Sequence, residues 1–391
     1  MFIDIIKGLL SIFINPFFYL LILISFLGAF QRVKRERLSF GIKVYGAANV
    51  VFTNLIPGLL VGMFATAVLI GLGVALAPGV FILFMGFYMF LILVLQFRLA
   101  SPAVAFALTI FVSMLLPDWT THMAWLNHLI DGIQNTGLQS LGGFLVVILL
   151  SECLLTIIWG SKLPSPRLIN SRRGKKVGAY EVSHYWVVPM VFLVPGGPVG
   201  LDIGWWPLAS GDSFSFLLFP VGIGLQQLIV HTLPEQAVKR TGVLMGLATL
   251  ITTVTVLIGI VFEFHVLIAC AAGFALIFHL LLVYYHHYER ENQPFYFVDE
   301  GNGLRVVGIV PGSPAEKMAV KIGEVVHKVN GVPIQSEEEF YHALQINAAY
   351  CQLEMIDYQN ERRFVRRTIY QNDWHHIGLL FLEPSRRVKS A

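Results

Sequence analysis

Up to about residue 285 the chain alternates apolar stretches about as long as a bilayer is thick with short polar breaks, and from there to residue 391 it is charge-mixed. A hydrocarbon core of about 30 Å takes about 20 apolar residues per helix. Nine windows meet that length or come near it: roughly Leu9 to Phe30, Val50 to Ala77, Gly79 to Phe97, Pro102 to Leu116, Leu141 to Trp159, Tyr185 to Val199, Phe214 to Val230, Val243 to Phe262 and Val266 to Tyr285. The fourth and sixth are short and carry Pro, which suits a re-entrant piece as well as a crossing. Hydrophobic residues make up 56% of the chain and charged residues 13%, far from a soluble globular composition. The expected fold is a polytopic α-helical membrane bundle of about eight to nine spans, residues 1–288, then a small α+β module, residues 293–384, and a flexible basic tail, 385–391. The first window lacks a basic leader and a small-residue cleavage site, so it reads as a retained span and not as a signal peptide.

Short loops rich in Lys and Arg stay on the cytoplasmic side of a membrane. One alternating set of loops holds fourteen cations: Arg32, Lys34, Arg35, Arg37, Lys43, Arg98, Lys162, Arg167, Arg172, Arg173, Lys175, Lys176, Lys239 and Arg240. The opposite set holds Lys7 alone, so the C-terminal module is expected in the cytoplasm and the N-terminus outside, provided every short window crosses. Trp119, Trp125, Trp205 and Trp206 fall in the exterior loops, as amphipathic indoles at a headgroup layer do. Lys and Arg total 27 against 24 Asp and Glu, a weak excess that argues against a nucleic-acid partner. The three cysteines, Cys153, Cys270 and Cys351, are too scattered for a disulfide framework or a metal cage.

Intramembrane chemistry leaves short motifs, and each fails here. A zinc protease needs His-Glu-x-x-His, because two His one turn apart share a helix face. The nearest string, His231-Thr-Leu-Pro-Glu235, has the wrong spacing and a Pro inside it. Leu208-Ala-Ser-Gly211 lacks the first Gly of Gly-x-Ser-Gly, and Asp212 follows Ala209-Ser-Gly211, not Gly-x-Gly. Intramembrane ionisable residues mark transport paths when they have no structural partner. Glu152 lies inside the fifth window and reads as paired or protonated within the bundle, while Glu263 and His265 read as an exterior turn. His286-His287 and His375-His376 cannot converge on one ion as adjacent pairs, so no metal is expected.

The last hundred residues carry local signals of a different kind. Leu304 to Val310 is mostly β-branched or long aliphatic, as a strand is, and Pro311-Gly-Ser-Pro314 stops it. Ser313 can cap a short helix that starts at Pro314. Glu324 to Val329 forms a second strand, and Asn330-Gly331 supplies a turn because both residues tolerate positive φ. Ser336-Glu-Glu-Glu339 is a capping box for a helix with Phe340, Tyr341 and Leu344 on its apolar stripe, ending near Asn347. Strands around Cys351 to Asp357 and Arg362 to Ile369 complete a small barrel.

This order, with Gly303-Leu-Arg-Val-Val-Gly-Ile-Val-Pro-Gly-Ser-Pro-Ala315 and Asn330-Gly-Val-Pro-Ile334, resembles the PDZ domains of bacterial envelope proteases over about 80 residues. It departs at Met318-Ala-Val320, where the family has Ala-Gly-Leu, and at Glu324, where Asp is usual. The resemblance implies capture of an extended peptide on a sheet edge beside the longer helix. By order, the binding strand is Ile377-Gly-Leu-Leu-Phe381, last in the chain as in the permuted bacterial topology. The peptide groove then comprises Ile377, Gly378, Leu379, Leu380, Phe381, Phe340, Tyr341 and Leu344, although closing the barrel is another role open to that strand.

Asn15-Pro-Phe-Phe-Tyr19, the basic Arg32-Val-Lys-Arg-Glu-Arg37 loop, spans without a catalytic motif and a terminal PDZ-like module together resemble the MinJ family of cell-division topology proteins of Firmicutes. The resemblance implies a non-enzymatic adaptor at septa and poles, without cofactor or catalytic residues. It would link the DivIVA scaffold to the MinC and MinD inhibitors and so restrict where the FtsZ ring forms, with a homo-oligomer compatible. Two other readings stand beside it: a regulatory or inactive relative of a PDZ-bearing intramembrane protease, and a transporter with an accessory PDZ module.

Overall fold

The computed structural model describes residues 2–95, 101–116, 122–200, 206–208, 213–299, 301–346, 350–357, 359–368 and 377–382. The membrane half begins with α1 (Phe2–Ile14), α2 (Pro16–Phe40), α3 (Ala47–Leu72), α4 (Pro78–Leu95) and α5 (Pro102–Leu115). It continues with α6 (Ala124–Gln134), α7 (Leu138–Trp159), strands β1 (Ser165–Asn170), β2 (Lys176–Gly200) and β3 (Ser213–Ile229), and helices α8 (Pro234–Val261) and α9 (His265–Asn292). Among the described residues five helices, α2, α3, α7, α8 and α9, are long and apolar enough to cross a membrane, while α4 and α5 are shorter. Asn15 breaks the first window: its side chain caps the Phe17 amide at 3.0 Å and Pro16 opens α2.

The sixth and seventh windows are not helices. Tyr185–Val199 and Phe214–Val230 lie in β2 and β3, an antiparallel pair in register from Tyr180↔Ile229 to Pro195↔Phe214. This corrects the count of eight to nine helical spans. Two features of these windows oppose a helix. Both carry Pro, and Pro189 faces Pro220 across the pair, where neither has an N–H to leave without an acceptor. Their fifteen and seventeen residues make only about 22 and 26 Å of helix, short of a core of about 30 Å.

A sheet among membrane helices needs its edges covered, because unpaired backbone groups cannot face lipid. Helix α3 covers β2. Asn54, Gly58, Gly62 and Thr66 recur every fourth residue, about 6 Å along a helix, close to the roughly 6.8 Å of two strand residues. From Gly58 to Thr66 the helix therefore keeps step with Val187, Pro189 and Val191 of β2, and Asn54 meets His184 three residues before. Asn54 Oδ1 meets His184 Nδ1 at 3.0 Å, and Thr66 Oγ1 accepts from the Val191 amide at 3.0 Å. Between them Gly58 and Gly62 lie so close that a Cβ would overlap the carbonyl oxygens of Val187 and Pro189. Beyond α3 the Leu76 amide donates to Leu193 O at 2.9 Å. Helix α1 covers β3 in the same manner, with the Leu218 amide donating to Ser11 Oγ at 3.2 Å and Gly8 against Phe216 O.

The hairpin is also the centre of packing. Phe192 and Phe219 meet Phe81 at 5.0 and 5.1 Å between ring centroids, and Phe144 touches Phe192 at 4.8 Å and Phe106 at 4.5 Å. Such contacts, edge-to-face except for the tilted Phe81–Phe219 pair, add to the burial of large apolar area. At one end of the bundle the basic loops converge: Glu181 binds Arg35 at 3.0 Å and Arg167 at 3.1 Å, Glu291 binds Arg172 at 2.7 Å, and Glu289 binds Arg240 at 3.0 Å. Cations far apart in sequence thus share one face. Of the indoles, Trp125 is exposed and Trp206 packs on Phe214, while Trp119 and Trp205, like Arg98, lie outside the described residues.

The C-terminal module comprises β4 (Leu304–Ile309), α10 (Pro314–Lys317), β5 (Val325–Val329), β6 (Val332–Pro333), α11 (Glu337–Gln345), β7 (Tyr350–Ile356), β8 (Arg362–Thr368) and β9 (Leu379–Phe381). Its sheet runs β8-β7-β5-β4-β9, with β6 on β5. Ser313 accepts from Glu316 N, Ser336 accepts from Glu339 N, and Asn330 and Gly331 take φ of 49° and 85°. Helix α11 ends at Gln345, two residues before the expected Asn347, which is outside the described residues together with the tail from 385 to 391.

The module is seated on the base of the hairpin. Phe297, fully buried, packs on Tyr180 at 5.5 Å, and its carbonyl accepts from the Gly178 amide at 3.1 Å. The Tyr296 amide donates to Val230 O at 2.8 Å, and the Tyr180 hydroxyl donates to Val307 O of β4.

Candidate functional site

The module's sheet ends in two edges of opposite character. Strand β8 carries Arg362, Arg363, Arg366 and Arg367 within seven residues. Charge along an edge opposes pairing with another chain. Strand β9 carries none, and it is the last strand beyond β4 among the described residues.

Alternation in an antiparallel ladder decides where the β9 backbone groups point. Gly378 O accepts from the Val310 amide at 2.8 Å, and the Leu382 amide donates to Arg305 O at 3.0 Å, so these residues face β4. The amides and carbonyls of Leu379 and Phe381 between them face the other way, along the outer edge. Gly378 starts the strand at φ 82°, and a Cβ there would run into Ser313. Only glycine meets both conditions.

Beside β9 stands α11. Phe340, with no exposed surface, meets the Phe381 ring at 4.8 Å, and Tyr341 packs edge-on against Phe340 at 5.5 Å. Of the eight residues expected to line a peptide groove, Ile377, Leu379, Phe381, Phe340 and Leu344 belong to one buried cluster with Tyr341 packed against it, and Gly378 lies against Ser313. Burial raises the Tyr341 phenol pKa above its ordinary value. Leu380 points to the other face of the sheet, where a Cβ on Gly308 would meet both Leu380 and Pro166 of β1. Strand β9 therefore touches the module core on one face and the membrane half on the other. The sequence carries a faint signal of this seat: Gly308 interrupts the apolar run from Val306 to Ile309, as close approach requires.

Several titratable groups of the membrane half have side-chain partners. Glu152 accepts from Ser101 Oγ at 2.6 Å and meets His279 Nε2 at 2.8 Å, while His279 Nδ1 donates to Ala275 O at 2.8 Å. Ser101 and His279 thus both meet the Glu152 carboxylate, one on each oxygen, and the other ring nitrogen of His279 is spent on a backbone carbonyl. The partner His279 sits 127 residues away, beyond the reach of any local motif. Glu263, at φ 55°, forms the turn between α8 and α9. His286 bonds Thr241 at 2.9 Å and His287 bonds Arg290 at 3.0 Å, so the pair diverges. Among the described residues no group of three or more His, Cys, Asp or Glu could hold a metal ion. Ser210, Asp212 and His375-His376 lie outside them.

No family model matches the chain. It is 29% identical over 397 aligned positions to the cell division topological determinant MinJ of Bacillus subtilis, covering 100% of this chain and 98% of that protein. The probable cell division topological determinants MinJ of Lacticaseibacillus paracasei and Lacticaseibacillus casei are each 23% identical over 317 residues, 73% of this chain and 79% of theirs. From its first helix to its last strand the chain is thus homologous to MinJ.

Proposed function

We propose that the chain is a membrane-embedded, non-enzymatic adaptor in the selection of the cell-division site, and that its C-terminal module is a PDZ-type domain of permuted topology. The module, residues 293–384, would stand at the cytoplasmic face, with the basic end of the bundle inside and the N-terminus outside. The observation that carries this reading is the uncharged outer edge of β9 beside α11, on a sheet whose other edge is lined with arginines. A partner segment adds there as one more strand, taking affinity from the backbone groups of Leu379 and Phe381 and selectivity from the side chains near Phe340, Tyr341 and Leu344. The homology supplies the setting, since the relatives are named as determinants of division topology. The family resemblance points to a DivIVA-like scaffold and a MinD-like ATPase as partners.

A fluorescent fusion of the full chain should gather at septa and poles, whereas one ending at Asn292 should insert in the membrane and spread evenly. Even spread of the full chain, or septal gathering without the module, would contradict the proposal.

A further inference from the structure

Between the β1–β2 turn and the end of α9 lies a crevice of about 770 Å³. Its rim is cationic, with Arg172, Arg173 and Lys175 from the turn and Arg290 from α9, and its floor is apolar, including Phe295 and Val298 of the segment leading into the module. One carboxylate lines it, Glu291, which takes Arg172 at 2.7 Å and Arg290 at 3.1 Å. Four cations face that single acid, and the side chains of Arg173 and Lys175 are exposed at the rim.

The height of the crevice narrows what can fill it. The apolar run of α9 finishes here, and Tyr284 and Tyr288 are exposed on its last turns, where phenols sit at the boundary between hydrocarbon and headgroups. A ligand at this level with a phosphate for the rim and methylenes for the floor is a phospholipid. We infer that the crevice binds an anionic phospholipid, its phosphate between Arg173, Lys175 and Arg290 and its glycerol and first acyl carbons on Phe295 and Val298. Because the β1–β2 turn forms one wall and the segment into the module another, the bound lipid braces the module against the hairpin.

Purified full-length protein in neutral detergent, offered phosphatidylglycerol or phosphatidylcholine and read by native mass spectrometry, tests the assignment. The wild type should retain phosphatidylglycerol selectively, and R173Q/K175Q should bind it about 30-fold more weakly, since each cation near a headgroup contributes roughly a fivefold gain. Both side chains are exposed, so the thermal midpoint should not move. K34Q/R37Q, with the same charge change at the same end but outside the crevice, should bind within about threefold of wild type. Undiminished binding by R173Q/K175Q, or an equal loss in K34Q/R37Q, would overturn the site. Displacement of the lipid by an equal concentration of inorganic phosphate would overturn the assignment to a lipid.

Discussion

Single residues on α3 decide whether a strand can sit inside this bundle. Thr66→Val keeps the shape but leaves the partly buried Val191 amide without its acceptor, a loss of about 1 kcal/mol. A lowered thermal midpoint of the detergent-solubilised protein is expected, and an unchanged midpoint would count against the edge cover. Gly62→Ala should do more harm, because its Cβ overlaps a backbone carbonyl that cannot rotate away. In the module, burial pushes the Cys351 thiol up to about 12. Its pKa is raised on folding, so the folded state favours the protonated thiol. Stability is therefore unaffected below the unfolded thiol pKa of about 8.5 and declines as pH rises from there toward 12. Cys351 should resist a water-soluble maleimide at pH 8 until denaturant is added; rapid labelling of the folded chain would refute the burial.

Elements differ in how openly the sequence declares them. Those of the module are legible because their signals are local: Ser313 and Ser336 cap their helices within three residues, and Asn330-Gly331 turns the chain by its own torsional freedom. Strands β2 and β3 are not, since a hydropathy window registers apolarity and is blind to whether it is spent on a helix or a strand. The opposition of Pro189 to Pro220, which suits a strand pair, appears only once the two are paired. Among the residues expected to line a groove, the face taken by Leu380 is not legible locally, since it depends on Pro166, more than two hundred residues earlier. A consequence for α1 follows from its place on β3. Removing residues 2–14 bares the backbone of Leu218 and Phe216, so the shortened protein should lose its monodisperse peak in size-exclusion chromatography. A monodisperse peak equal to that of the full chain would show that the edge needs no such cover.

In the molecule as a whole, the hairpin joins the membrane helices to the module, and the strand proposed to take a partner rests on that joint. Tyr180 is the contact most easily tested: Tyr180→Phe removes the bond to Val307 O at a net cost of about 0.5–1.5 kcal/mol. The Tyr296 amide, bonded to Val230 O across the joint, should then exchange up to about tenfold faster. The central claim is that β9 receives a partner strand, and hydrogen exchange on the full chain in lipid nanodiscs, with and without a DivIVA-like partner, tests it most directly. The amides of Leu379 and Phe381 should slow by about tenfold or more on binding while those of β8 stay as they were. Protection gained on β8 with β9 unchanged would contradict the account.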